Sequence, residues 1–266
     1  MLYSRVLDSV KSALKRALPP ALTRRLAGWY RSAVLFRFHG DIARAKAETE
    51  LAFWRKTLKP GVKVENGYYQ YLFTDLFGLE LQDYQGRRVL DVGCGPRGSL
   101  EWATMARQRI GLDPLASSYR AFGTAHHAML YIQAGSEFMP FGSGVFDLVA
   151  SFNSLDHVNN LDRTVEELAR VLAPDGRLLV IAEVNHEPTL TEPITFSWDI
   201  ADRFAPLLEV IRARFLEKPA GPIYQSIRVG VPFDFRDPTP RPGILCAMLQ
   251  KNGVAAAAPA REVESY

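Results

Sequence analysis

The sequence predicts an α/β fold built on a doubly wound, mostly parallel sheet of seven strands, preceded by an N-terminal helical extension. The first observation is that short apolar segments alternate with helical segments from residue 87 onwards. The second is a glycine-rich turn, residues 93–98, that directly follows the first apolar segment. The third is that polar segments begin where predicted strands end, and ligands bind there in open parallel sheets.

Length and composition are those of an ordinary globular protein. The chain has 266 residues, enough for one large α/β domain with appendages, and 47% of them are hydrophobic and 23% charged. No apolar run is long enough to span a bilayer. The two cysteines, Cys94 and Cys246, form no C-x-x-C pair. This argues against a disulfide framework or a thiolate metal site and fits a reducing cytoplasm.

Residues 1–40 are predicted to form a basic helical extension split by Pro19-Pro20. They carry eight Lys and Arg residues against one acid, a net +7, so the formal total of +3 leaves the rest of the chain at −4. A basic amphipathic helix can lie on an anionic membrane surface, and it can equally pack against its own domain or a partner. A cleavable targeting peptide fits less well, because the segment lacks a clear apolar core with a cleavage site.

Residues 41–86 are predicted to form a helical cap before the sheet. The first helix is expected over Asp41–Leu58, with Asp41 as its N-cap, and Lys59-Pro60-Gly61 ends it. A short second helix follows with three tyrosines, which at helical spacing usually belong to the core: Tyr68, Tyr69 and Tyr71.

Residues 87–266 are predicted to carry the sheet and the chemistry. The strands are expected at Arg88–Val92, Arg109–Leu112, Met129–Gln133, Phe146–Ser151, Arg177–Glu183, Leu208–Arg214 and Ile244–Gln250. Helices are expected at Ser99–Arg107, Leu115–Phe122, Leu161–Leu172 and Trp198–Phe204. The Pro- and Gly-rich segment Lys218–Gly243 is expected to be a loop or small subdomain over the site, and residues 185–243 to supply the substrate-side loops.

The glycine turn fits two kinds of ligand. Its bare backbone and unpaired N–H groups suit a nucleotide-like ligand, and the spacing Gly93-x-Gly95-x-x-Gly98 matches the dinucleotide fingerprint, with Asp113 following at the expected distance. Asp91 argues against a dinucleotide, because a carboxylate two residues before the first glycine would repel a pyrophosphate. The same carboxylate suits a ligand that carries a positive charge, such as an amino group.

Three further segments follow strands in an ordered series. Asp113 at the end of the second strand can accept ribose hydroxyls, or cap a helix that begins with Pro114, and these roles are compatible. A polar loop, Ala134–Phe141, follows the third strand, and Phe152–Val158 follows the fourth. Later, Arg170–Leu178 ends a helix, turns at Pro174-Asp175-Gly176 and enters a strand.

Together with Asp91–Gly95, these segments resemble the class I S-adenosylmethionine-dependent methyltransferases of the small-molecule, ubiquinone-biosynthesis-like type 11 group. The resemblance covers residues 88–183 and implies a Rossmann-like fold, with S-adenosylmethionine as cofactor. Arg97 departs from the small residue that commonly ends the family's turn, and Gly135 stands where the family often has an acid. The cofactor residues so implied are Asp91, Gly93, Cys94, Gly95, Asp113, Pro114, Ser136, Glu137, Phe138 and Asn153.

The resemblance also places catalytic and acceptor-binding candidates. His157 follows the fourth strand beside the expected methyl position and titrates near neutrality, so it is the first candidate for a general base, with Asp156 second. The polar loop after the fifth strand offers Asn185, His186, Glu187 and Glu192 as acceptor contacts, and the last three also as a base. Tyr68 and Tyr69 are candidates for a lid that contacts the acceptor. No metal is expected, since no His-x-x-x-His or paired-carboxylate spacing occurs.

The predicted activity is methyl transfer to a small-molecule acceptor, sugar-like or lipid-linked, at a hydroxyl oxygen. Nucleic acid is not expected as substrate, because the body of the chain is acidic and the Asn/Asp-Pro-Pro-Tyr/Phe tetrapeptide of amino-methylating enzymes is missing. Two alternatives remain: a nicotinamide-dependent oxidoreductase that uses the glycine fingerprint, and a non-catalytic methyltransferase-like module anchored through residues 1–40. The expected location is cytoplasmic, with peripheral contact to a membrane or partner through the basic extension.

Overall fold

The structure, a computed structural model, describes residues 39–58, 66–205 and 207–251. The predicted amphipathic helices before His39 lie outside these residues, and so does the predicted break at 59–61. The predicted boundaries at residues 40/41 and 86/87 stay predictions. Residues from Leu51 onwards belong to one compact unit, which contains the whole sheet.

Seven strands form one sheet, as predicted, in the order β3-β2-β1-β4-β5-β7-β6. Strands β1 to β5 run parallel, whereas β7 pairs antiparallel with both β5 and β6. The strands are β1 (Arg88–Val92), β2 (Gln108–Leu112), β3 (Leu130–Ile132), β4 (Phe146–Phe152), β5 (Leu172–Val184), β6 (Leu208–Glu217) and β7 (Gly243–Lys251). The central strands are buried on both faces, which is why they are visible in the sequence as continuous apolar runs.

Two apolar clusters cover the faces of the sheet. Leu90 and Ile110 belong to one cluster, and their strand neighbours Val89 and Leu148 to the other. The second cluster also holds the aromatic residues that precede β1, including Tyr84, whose hydroxyl donates to the Phe73 carbonyl at 2.5 Å. The sheet is therefore fixed from both sides, and the loops at its carboxyl edge stand on a rigid base.

Four α-helices are described: α1 (His39–Thr57), α2 (Tyr68–Phe73), α3 (Leu161–Val171) and α4 (Ile223–Val229). Helix α3 confirms the prediction for Leu161–Leu172. The Asn160 side chain accepts from the Arg163 N–H at 3.0 Å, and the Lys251 ammonium donates to the carbonyls of Ala169 and Leu172 at the other end. Among the described residues, no helix has the length and apolar character needed to cross a membrane.

The prediction of a helix over Ser99–Arg107 is wrong, and the segment is a series of turns. Its hydrogen bonds are short-range, such as Glu101 N to Gly98 O at 3.1 Å. The carbonyls of Leu100 and Glu101 accept from the Arg109 guanidinium, and the Glu101 carboxylate accepts from the Ala128 and Met129 N–H groups. Tertiary partners thus take the groups that a helix would have used.

Four other local predictions also need correction. The helix predicted over Leu115–Phe122 is a 3₁₀ helix confined to Ser118–Phe122, and the helix predicted at Trp198–Phe204 is also 3₁₀. Helix α1 begins at His39, so Asp41 lies inside its first turn and is not its N-cap. The Pro174-Asp175-Gly176 turn lies within β5 as a bulge, where the register against β4 shifts between Phe146 and Leu148.

Candidate functional site

The candidate site lies at the carboxyl ends of β1, β2, β4 and β5. The connection from β1 continues to β2 on one side, while β4 pairs with β1 on the other side, so the strand order reverses between β1 and β4. Ligands of doubly wound sheets bind in the crevice at such a switch point. The loops that follow these four strands carry the predicted site residues.

The glycine turn holds its backbone where side chains would collide. Gly93 has φ +76°, its N–H donates to the Leu112 carbonyl at 2.8 Å, and a Cβ there would stand 2.3 Å from the Ser154 Cβ. Gly95 has φ +56°, and a Cβ there would stand 3.0 Å from the Trp54 ring. Both positions need glycine for conformation and for space, which leaves bare main chain at the crevice.

Asp91 is buried directly before this turn. It is 4% exposed, and its carboxylate accepts a hydrogen bond from the Ser99 hydroxyl. Burial raises the pKa of Asp91 to about 7; the Ser99 hydrogen bond opposes this rise, and the nearby Asp113 carboxylate adds to it. A buried acid with so few donors is suited to a ligand that brings a positive charge.

Asp113 ties β2 to the glycine turn. Its Oδ2 accepts from the Gly95 N–H at 3.2 Å, and its Oδ1 accepts from the Leu115 N–H at 2.8 Å across Pro114. Burial raises the pKa of Asp113, while these hydrogen bonds and one from Tyr119 lower it. The carboxylate thus closes a turn and does not cap an α-helix, and its oxygens keep lone pairs that can accept further hydrogen bonds.

Cys94 turns away from the crevice. Its side chain is buried against β2, with Sγ 2.5 Å from the position that a Cβ on Gly111 would take. Burial raises the pKa of its thiol well above the usual value. The residue therefore serves the turn through its main chain, and Gly111 makes room for its sulfur.

The loop after β3 is tied to the start of α3. The Ser136 hydroxyl lies 2.9 Å from the Thr164 hydroxyl, and Glu137 Oε1 accepts from the Asn159 N–H at 2.8 Å. Phe138 is 75% exposed and stacks under the Arg163 guanidinium at 5.4 Å. The polar side chains predicted to meet a ligand thus have structural partners, which leaves main chain and the Phe138 ring for ligand contact.

Acidic and imidazole groups converge beyond β4 and β5. His157 Nε2 lies 3.8 Å from Asp156 Oδ1 and 3.8 Å from Glu192 Oε1, and His186 Nε2 lies 3.6 Å from Asp156 Oδ2. Burial raises the pKa of Asp156, the Glu192 charge raises it further, and His186 lowers it. We call Asp156, His157, His186 and Glu192 the polar cluster. It brings together the three predicted catalytic residues and Glu192, which the sequence offered as an acceptor contact or base.

Two asparagines beside this cluster have left-handed backbone conformations. Asn153 has φ +50°, and its buried Oδ1 has no hydrogen-bond partner among the described residues. Asn185 has φ +58°, is exposed, and donates its N–H to the Phe196 carbonyl at 2.8 Å. Glu187 is exposed, and its carbonyl lies 3.1 Å from His186 Nδ1. Asn185 and Glu187 thus shape the loop, and their side chains stay outside the polar cluster.

A group of tyrosines lies between the glycine turn with Asp91 and the polar cluster. Tyr68 stacks on Tyr69 with ring centroids 4.3 Å apart, and Tyr224 of α4 lies 6.1 Å from Tyr69. The Tyr224 hydroxyl interacts electrostatically with both Asp91 and Asp156, and burial raises its pKa, so it stays a donor. No local pattern pointed to Tyr224, because it lies in the segment Lys218–Gly243, predicted as a loop or small subdomain.

Arg97, which breaks the family pattern, has two partners here. Its guanidinium lies 5.8 Å over the Trp54 ring, and burial raises the pKa of Tyr68 while the Arg97 charge opposes this rise. Trp54 itself stands against Gly95. Arg97 therefore links Tyr68 to Trp54 beside the glycine turn, a contact that no local pattern could predict.

Comparisons with known proteins agree with this geometry. Residues 90–180 match the family described as "Methyltransferase domain". A malonyl-[acyl-carrier protein] O-methyltransferase of Erwinia billingiae is 29% identical over 170 residues, which are 59% of this chain and 65% of that protein. A chloroplastic tocopherol O-methyltransferase of Arabidopsis thaliana is 30% identical over 128 residues, 45% of this chain and 37% of that protein.

A solved structure from Bacillus halodurans C-125 shares the fold. It superposes with a TM-score of 0.52 at 17% identity, covering 69% of this chain and 98% of that chain. At this identity the likeness shows the fold alone. The matches span less than two thirds of either curated relative, with 65% of one and 37% of the other.

Proposed function

We propose that the chain, whose residues 90–180 match the methyltransferase-domain family, is a class I S-adenosylmethionine-dependent methyltransferase of the type 11 group that transfers a methyl group to a hydroxyl oxygen of a small molecule. The observation that carries the proposal is Asp91, a buried carboxylate directly below a bare glycine turn. Such a pair suits an ammonium-bearing nucleoside and opposes a pyrophosphate, so the oxidoreductase alternative is not favoured.

The residues present fit S-adenosylmethionine. Asp91 would bind the ammonium, Gly93 and Gly95 would let the ligand approach the main chain, and Asp113 would accept the ribose hydroxyls with its remaining lone pairs. The main chain at Pro114, Ser136 and Glu137, with the Phe138 ring, would border the adenine. When bound, the cofactor supplies a methyl group on a sulfonium sulfur.

The polar cluster would serve the acceptor. Asp156 and His157 follow β4, the strand beside β1, so they lie next to the proposed cofactor seat. His157 would take the acceptor's hydroxyl proton at Nε2, and its nearest carboxylates, Asp156 and Glu192, would stabilise the imidazolium that forms. The main contribution of the chain is alignment of the acceptor oxygen with the methyl group.

An oxygen acceptor is supported from two sides. A hydroxyl needs a group that removes its proton, and the polar cluster offers one. The two relatives above are named as O-methyltransferases, one for a carrier-protein-bound malonyl group and one for tocopherol. We therefore propose a small acceptor, sugar-like, lipid-linked or a secondary metabolite, and not a nucleic acid. Contact of residues 1–40 with a membrane surface or a partner remains a prediction.

Calorimetry with two cofactors tests the proposal. The full chain is titrated separately with S-adenosylmethionine and with NAD⁺, and we expect saturable binding of the first at one site. NAD⁺ should give no heat at the same concentration, because Asp91 repels its pyrophosphate. Tight NAD⁺ binding without S-adenosylmethionine binding would overturn the proposal.

Replacing His157 should separate chemistry from cofactor binding. We expect His157→Ala to lower turnover by roughly 100-fold, measured as S-adenosylhomocysteine release over a panel of hydroxylated small molecules, while cofactor affinity changes little. His126→Ala is the matched control, because His126 is exposed and lies before β3. Unchanged turnover in the His157 variant would assign the proton to His186 or Glu187, or show that no base is needed.

A further inference from the structure

Three side chains of the polar cluster present donor atoms to a common point. The ligand atoms of Asp156, His157 and Glu192 all lie within 4.8 Å of one another. The closest pairs place His157 Nε2 at 3.8 Å from an oxygen of each acid. Ligands that share one small metal ion lie about 3 to 4 Å apart, because each stands about 2.1 Å from it. The group thus needs only a small contraction to close on an ion.

Asp156 supplies an independent indication. It is 3% exposed, and its Oδ1, the oxygen nearest His157, has no hydrogen-bond partner among the described residues. The Glu192 and Glu183 carboxylates place further negative charge near it. A buried carboxylate oxygen without a donor is costly unless a cation pairs with it.

His186 has the orientation of an imidazole that faces a cation. Its Nδ1 lies 3.1 Å from the Glu187 carbonyl, which can only accept, so Nδ1 carries the proton in the neutral ring. Its Nε2 then presents a lone pair, is buried, and has no hydrogen-bond partner among the described residues. Nε2 faces Asp156 Oδ2 at 3.6 Å, so two acceptors oppose each other unless a proton or a cation lies near them. Ligating histidines are commonly fixed in this way by a carbonyl on the opposite nitrogen.

We propose that Asp156, His157 and Glu192 bind a divalent metal ion, and that a proton between His186 Nε2 and the other oxygen of Asp156 holds that carboxylate in position. One imidazole and two carboxylates form a mixed nitrogen and oxygen set, which suits Mn²⁺ or Zn²⁺ better than Ca²⁺. The two acids balance the charge of a dication. The sequence offered no metal spacing because Glu192 lies 35 residues beyond His157 on a different loop.

The ion would take part in the function proposed above. Its role in catalysis rests on that proposed function, whereas the binding of the ion does not. It would coordinate the acceptor oxygen and lower the pKa of the hydroxyl, whose proton would then leave to solvent. Such a site favours acceptors whose hydroxyl can reach an ion at the end of β4. A second oxygen beside that hydroxyl could bind the same ion. In that case His157 acts as a ligand and not as the base.

Metal titration of the full chain tests the site without cofactor or acceptor. The untagged protein, dialysed against EDTA, is titrated with Mn²⁺ and then with Zn²⁺ by calorimetry, and we expect one saturable ion per chain. We expect His157→Ala and Glu192→Gln each to weaken binding more than 100-fold, and His186→Gln to weaken it about 10- to 100-fold, as for residues that orient a ligand. His126→Ala and Glu166→Gln, both exposed outside the polar cluster, should leave it unchanged.

Metal binding is measured without cofactor or acceptor, so it tests the metal site separately from the proposed function. Binding of neither ion by the unmodified chain would overturn the metal site, and the cluster would then be held by a shared proton between His186 and Asp156. Binding that survives both the His157 and Glu192 substitutions would overturn the assignment of ligands. Metal binding with no binding of S-adenosylmethionine would refute the proposed function and leave the site intact. A far-ultraviolet circular dichroism spectrum and a thermal melting curve of each variant show whether it is folded.

Discussion

Asp91→Asn is expected to abolish measurable cofactor binding while making the folded protein more stable at pH 8. The amide keeps an oxygen for the Ser99 hydroxyl but loses the charge that would pair with the cofactor's ammonium. Loss of a buried charge-assisted contact should weaken affinity by about 100-fold or more. A change of this kind at a merely structural residue would lower stability together with affinity.

The gain in stability follows from the raised pKa. Asp91 titrates near pH 7 in the folded chain and near 3.8 when unfolded, so the folded state holds a proton that the unfolded state has lost. Its contribution is fully favourable below pH 4, declines as the pH rises, and is lost above pH 7. The asparagine carries no charge to bury, so we expect its unfolding free energy to exceed the wild type by a few kcal/mol at pH 8 and to match it near pH 4.

Thermal and urea unfolding at pH 4, 6 and 8 measure this difference, and calorimetry measures the affinity. Asp75→Asn is the matched control, because Asp75 is exposed. In the wild type, cofactor affinity should also fall by about tenfold per pH unit below 7, as the carboxyl becomes neutral. Other groups that interact with Asp91 are Cys94, Asp113, Tyr69, Tyr131 and Tyr224. Wild-type affinity in Asp91→Asn would refute its role.

Gly93→Ala is expected to lower the unfolding free energy by about 3 kcal/mol and to eliminate cofactor binding. The new methyl group would meet the Ser154 Cβ at 2.3 Å and its hydroxyl at 2.7 Å, and φ at this residue is +76°. Ser154 cannot simply move away, because its hydroxyl donates to the Val92 carbonyl at 2.9 Å and lies 2.7 Å from Ser151. The clash therefore spreads into the ends of β1 and β4.

Gly86→Ala separates conformational strain from collision. Gly86 has a similar φ, +70°, but no atom within 4 Å of its would-be Cβ, so its substitution should cost only about 1 to 2 kcal/mol. Combining Gly93→Ala with Ser154→Gly should recover the stability that Gly93→Ala loses beyond Gly86→Ala. A double-mutant cycle isolates this energy of the collision between the new methyl group at position 93 and Ser154. Equal losses in the Gly86 and Gly93 variants would show that the contact with Ser154 is unimportant.

Features that depend on a few neighbouring residues could be read from the chain. The strands were visible because continuous apolar runs such as Phe146–Phe152 are buried on both faces of the sheet. Helix α3 was visible because Leu161–Val171 is amphipathic and begins with a capping residue. The glycine turn and its acid were visible because Asp91, Gly93 and Gly95 lie within five residues of each other.

Features that depend on residues distant in the sequence could not be read from the chain. Ser99–Arg107 has helical composition, yet Arg109 and the β3 approach take its polar groups and hold it as turns. Arg97 looked anomalous until Trp54, more than 40 residues earlier, came to lie under its guanidinium.

The sequence by itself determined the sheet, the order of its motifs and the presence of an acid directly before the glycine turn, because these rest on local hydrophobic and conformational preferences. Only the tertiary structure decided which ionisable groups meet. Asp156 and His157 are neighbours in one turn, whereas His186 and Glu192 approach these two residues from the loop after β5. Their proximity depends on strand order and loop path, and it leaves Asp156 Oδ1 and His186 Nε2 buried with no hydrogen-bond partner among the described residues.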